Sequence, residues 1–169
     1  MKRIFLMIAV FVLTIAAGAQ TLNVNVGNVT YKFPSAQTGD MMFSDGTTLT
    51  IINKEFQVDE IDGMTVDYTS VTDNTVGVSY NGSVATITVA GNVAQYLTIT
   101  QEGAHVSIAQ SDDLAQEITY TLTGTTSDGE FYMSGSYKAT IELNGLTLTN
   151  VTLCTVALPY TSKMASASM

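Results

Sequence analysis

The chain has 169 residues, enough for one medium domain, and carries six Lys and Arg against fifteen Asp and Glu. Lys2 and Arg3 fall in an N-terminal segment that reads as a leader; without it, four lysines face all fifteen acids, a net charge of −11, and no arginine remains. Such a balance excludes binding to a nucleic-acid backbone, which requires Lys and Arg to displace counterions. With 46% hydrophobic and only 12% charged residues, the chain is too apolar for a disordered acidic tail and is expected to fold.

Met1-Lys2-Arg3 forms a short positive region, Ile4 to Ala17 is almost wholly apolar, and Ala17-Gly18-Ala19 supplies small residues for a signal peptidase. Residues 1–19 are therefore expected to be a cleaved signal peptide, cut between Ala19 and Gln20. Ile4 to Ala19 is shorter than the roughly twenty residues a membrane span needs. The expected location is outside the cytoplasm, secreted, periplasmic or at the cell surface, with no membrane span after cleavage. The single cysteine, Cys154, cannot form an internal disulfide, so packing alone must hold the fold.

Along the mature chain, helical periodicity is nearly absent and period-two alternation dominates. Leu22, Val24 and Val26 alternate with Asn23 and Asn25; Tyr31 to Phe33 forms a strand that Pro34 ends; Leu49 and Ile51 alternate with Thr48 and Thr50. The acidic Asp59 to Gly63 stretch is a turn. It resembles a calcium-binding EF-hand loop only superficially: with Gly63 at the sixth position, the first falls on Val58, which has no ligating oxygen in its side chain. Val76, Val78 and Tyr80 lead into Asn81-Gly82, a strong hairpin signal, and Val84 to Val89 returns. Leu97 to Thr100 and Ala104 to Ile108 pair through Glu102-Gly103. Beyond Asp112-Asp113, Ile118, Tyr120 and Leu122 share one face, Phe131 and Met133 follow the Asp128-Gly129 turn, and Ala139, Ile141 and Leu143 alternate with polar residues before Gly145.

The order of these last segments resembles a family. Glu117 to Gly124 (EITYTLTG), Ser127 to Gly135 (SDGEFYMSG) and Tyr137 to Asn150 (YKATIELNGLTLTN), preceded by Gly91-Asn92-Val93 and by Gly103 to Ile108, are similar to the opening rungs of secreted carbohydrate-binding β-helix proteins of gut Bacteroidetes and cellulolytic clostridia. The likeness covers roughly residues 76–150. It implies an all-β chain in which a small N-terminal β unit (20–73) precedes the first rungs of a right-handed parallel β-helix (74–150), with an antiparallel β-sandwich as the alternative. It also implies polysaccharide as the partner, in some members acidic polysaccharide bound with Ca²⁺. Stacked rungs would bury apolar faces that no single rung can bury alone. Residues 151–169 depart from the family where a further rung is expected. Because codons for Leu158 to Met169 read out of register can supply that rung, the tail reads as a frameshift or truncation. An uncapped stack of this kind is expected to self-associate through its open edge.

The candidate sites follow from chemistry. Sugars are held by flat aromatic faces beside hydroxyl and amide groups; Tyr132, Tyr137, Asn144 and Asn150 offer these on positions pointing away from the expected core. Asp112, Asp113 and Asp128 are turn carboxylates able to donate oxygens to Ca²⁺; no other cofactor is called for. His105, the only histidine, alternates with Ala104 and Val106 and reads as a surface strand residue. No nucleophile motif accompanies it. The expected function is therefore non-catalytic polysaccharide binding, the alternatives being a fragment of a polysaccharide lyase or hydrolase, or a structural adhesion module.

Overall fold

A computed structural model describes residues 20–39 and 41–150; the expected signal segment, the tail with Cys154 and Leu158, and Ala19 lie outside the described residues. Among the described residues thirteen strands form in chain order: β1 (Thr21–Val26), β2 (Val29–Pro34), β3 (Met42–Ser44), β4 (Thr48–Ile51), β5 (Lys54–Gln57), β6 (Gly63–Asp67), β7 (Thr75–Asn81), β8 (Val84–Ala90), β9 (Leu97–Glu102), β10 (His105–Gln110), β11 (Ile118–Thr126), β12 (Glu130–Ser134) and β13 (Ala139–Leu148). A single helical turn, α1 (Gly91–Ala94), links β8 to β9. The chain is all-β.

Seven strands make one sheet in the order β13-β11-β7-β8-β2-β1-β6, and two three-stranded sheets, β12-β10-β9 and β3-β4-β5, complete the structure. Ring contacts join the layers. Tyr120 of β11 meets Phe131 of β12 at 6.0 Å, and Tyr31 and Phe33 of β2 meet Phe56 of β5 edge-on at 5.1 and 6.1 Å. Between the layers lies one apolar cluster that includes Val24, Phe33, Val78, Ile87, Ile108 and Leu122.

Alternation supplies this core as the sequence leads one to expect: Val76, Val78 and Tyr80 point inward from β7, Ile118, Tyr120 and Leu122 from β11, and Phe131 and Met133 from β12. The β7–β8 hairpin forms one residue later than expected. Asn81 stays in the strand opposite Val84, and Gly82 alone takes the positive φ, +65°, which is what a turn with glycine at its first central position requires. Asn23 departs from its expected solvent position. Its side chain is buried, and its amide donates to Asp67 Oδ2, at the end of the neighbouring strand β6, at 2.9 Å, while Thr21 donates its hydroxyl to the Thr69 carbonyl just beyond that strand.

The seam at Asp73–Asn74 lies in the loop between β6 and β7, but β2 pairs with β8 in parallel, so one sheet runs across it. From β10 onward the chain alternates between layers. β10 and β12 pair in parallel in the small sheet, β11 and β13 in parallel in the large one, and β11 also pairs in parallel with β7. The other neighbours, β1–β2, β1–β6, β7–β8, β9–β10, β3–β4 and β4–β5, are antiparallel. The architecture is thus mixed.

Candidate functional site

The outer face of β9-β10-β12 brings hydroxyl, imidazole, carboxylate and phenol side chains together. Because Val106 and Ile108 point inward from β10, His105 and Ser107 point outward. Strand register then fixes their neighbours. Glu102 and Glu130 lie directly beside His105 on the two flanking strands, and Thr100 and Tyr132 lie directly beside Ser107. Six side chains from three strands thus form two parallel rows, and they line a shallow groove of about 160 Å³.

His105 sits at the centre of one row. Its Nε2 lies 3.7 Å from Asp128 Oδ1 and its Nδ1 3.7 Å from Glu130 Oε2. Tyr132, 41% exposed, stands in the other row, one residue from buried Phe131 on the opposite face of the strand. Carboxylates accept hydrogen bonds, hydroxyls and imidazole both donate and accept, and a phenol ring offers an apolar face. Together these groups can hold a polyhydroxylated molecule that has one apolar side.

The remaining sequence candidates scatter. Tyr137, 37% exposed, lies in the loop between β12 and β13. Asn144 is an exposed residue of β13, in the large sheet, and Asn150 follows that strand, half-buried. Since the two layers pack through their inner faces, Tyr132 and Asn144 look outward from different sheets and cannot share one ligand subsite. The carboxylates proposed for Ca²⁺ also separate: Asp112 accepts from Ser136 Oγ at 3.2 Å beyond the C-terminal end of β10, with Asp113 beside it, whereas Asp128 sits at His105, where β10 begins. Roughly 17 Å of strand divides the two ends. Among the described residues no group of three or more His, Cys, Asp or Glu is arranged to hold a metal ion. Gln20, on the far side of the expected cleavage point, begins the described chain and accepts a hydrogen bond from the Ser35 amide at 2.8 Å.

The sequence singles out His105 as a surface strand residue but gives no sign of Glu102 and Glu130 beside it, because both approach through neighbouring strands. The outward parity of His105 was the one signal available. A second concavity, about 280 Å³, lies along β2 and β8 and is lined by Lys32, Thr72, Thr75 and Thr88 among others; none of its lining residues is aromatic. Elsewhere Lys54 is occupied. It donates to the Leu97 carbonyl at 3.4 Å and lies 5.4 Å from the centre of the Tyr31 ring, and burial lowers its pKa from the ordinary value.

The fold and the groove define an all-β protein of layered sheets with an open polar and aromatic seat on one outer face. No family model, no curated protein and no solved structure matches this chain. No helix among the described residues is long and apolar enough to cross a membrane.

Proposed function

We propose that this chain is a secreted, non-catalytic polysaccharide-binding protein, with the Tyr132 groove as its glycan seat. The observation that carries the reading is the conjunction, on one outer face, of an exposed tyrosine with two hydroxyls, an imidazole and two carboxylates set in strand register. Sugar rings bind through that combination, stacking their C–H face on an aromatic ring while their hydroxyls donate to and accept from polar neighbours.

The chain path from β10 to β13 supports the finer architecture, the opening coils of a parallel β-helix. Strands that pass between two layers and return beside their predecessors in parallel are what a solenoid requires. In that architecture β13 is the outermost strand of the stack among the described residues, and Leu143, 41% exposed, belongs to the apolar row that a following rung would cover. Self-association through that edge follows from the same reading.

The test is affinity electrophoresis against a panel of plant and host polysaccharides, with the purified mature chain and its Tyr132→Ala and Tyr137→Ala variants. Retardation by at least one glycan, lost in Tyr132→Ala, is the expected result. Release of reducing or unsaturated ends from any glycan would replace binding with hydrolase or lyase activity. Absence of any ligand would leave a structural adhesion module as the better account.

A further inference from the structure

We infer that the groove selects neutral glycan chains and turns polyanionic ones away, an inference that rests on the glycan-binding reading above. Its two rows differ in kind. Thr100, Ser107 and Tyr132 are uncharged, whereas the row beside them places Glu102 and Glu130 on either side of His105, with Asp128 at the imidazole's other nitrogen. Glu102 is exposed and Glu130 partly so, which leaves their carboxylates open to a ligand.

A neutral pyranose lying on Tyr132 would offer hydroxyl donors to these carboxylates, and hydrogen bonds to an ionised acceptor are shorter and stronger than neutral ones. A uronate or sulfate group in the same place would instead bring one negative charge against two or three others. The groove lining contains no lysine or arginine. Of the three described lysines, Lys54 is engaged with the Leu97 carbonyl, Lys32 lines the other concavity, and Lys138 lies in the loop between β12 and β13, outside the groove lining. No lysine or arginine is therefore positioned in the groove to neutralise an acidic sugar, and the long-range field of a mature chain with four lysines against fifteen acids, −11, adds to the exclusion. Discrimination then comes from repulsion of the wrong ligand as much as from attraction of the right one.

Isothermal titration of the mature chain with a neutral panel (xylan, β-glucan, mannan) and with polygalacturonate and chondroitin sulfate tests this, in chelator at low salt and again at high salt. The expected result is binding to a neutral glycan and affinity for the polyanions weaker by about tenfold or more at low salt, the gap narrowing as salt screens the charges. Replacing both glutamates, Glu102→Gln with Glu130→Gln, keeps the shape and the acceptor oxygens; it is expected to narrow the gap at low salt. Polygalacturonate bound as tightly as any neutral chain in chelator would overturn the inference while leaving glycan binding intact, and so would a gap the glutamine variant does not change. Failure to bind any member of either panel would remove the glycan reading itself, and the selection with it.

Discussion

Tyr80, buried on β7, donates its hydroxyl proton to the main-chain carbonyl of Glu130 at 3.0 Å. Through this bond the large sheet holds, from beneath, the first residue of the strand whose outer side carries the groove. A residue of the core therefore helps fix the height and orientation of a surface carboxylate.

Tyr80→Phe keeps the ring and removes the donor. Loss of a single buried hydrogen bond is expected to lower unfolding stability by about 1–2 kcal/mol, read as a shift of the urea midpoint at constant slope. A shift corresponding to less than about 0.3 kcal/mol would mean that the bond is replaced by water or by the neighbouring ladder.

Alkaline pH should unfold this protein through its interior tyrosines. Burial raises the pKa of Tyr120 to about 12, partly offset by the hydrogen bond from Gln110, and raises that of Tyr80 still further, with Glu130 adding to it. The folded state thus favours the protonated phenol. That contribution is complete below the ordinary tyrosine value near 10 and disappears as pH climbs through the folded-state values. Tyr120 alone should cost on the order of 2–3 kcal/mol between pH 10 and 12. Urea melts across that range should fall steeply, and Tyr120→Phe should flatten the fall; an unchanged slope in the variant would show that Tyr120 is not the group responsible.

Gly124 lies opposite Tyr80 at an irregularity in the β11–β13 pairing, with φ at +86°. A Cβ there would collide with the Tyr80 carbonyl, a backbone atom that cannot swing away. Gly124→Ala is expected to destabilise by about 2 kcal/mol or more. Gly82→Ala, which also has positive φ but open space around it, should cost about 1 kcal/mol. Equal losses at the two positions would indicate that backbone strain alone, without the collision, sets the penalty.

Adjacent residues on β12 should separate stability from binding. Phe131, fully buried against Tyr120, is expected to cost about 3–5 kcal/mol when cut to alanine. Tyr132→Ala should stay within about 0.5 kcal/mol of the parent protein, so that any lost binding in that variant reports on the groove. A large thermal destabilisation by Tyr132→Ala would contradict the outward placement of its ring.

Period-two patterning determined the all-β class, because side chains alternate across a strand whatever that strand pairs with. It placed Val76, Val78, Tyr80, Ile118, Tyr120, Leu122, Phe131 and Met133 in the core, and set Tyr132 on the outside. Turn chemistry located the breaks near Pro34, Gly63 and Gly82, since proline and glycine act on their own backbone torsions. Partners across strands were a different matter. Nothing within the residues near His105 encodes that Glu130, twenty-five positions later, lies beside it in a parallel ladder, or that Glu102 flanks it on the other side. Nor does local sequence separate Asn144 from Tyr132 onto different sheets, or bring Asp67 of β6 to the buried amide of Asn23. Facing is a property of a residue and its immediate neighbours, whereas adjacency across strands depends on register and layer order, which only the packing of the whole chain decides.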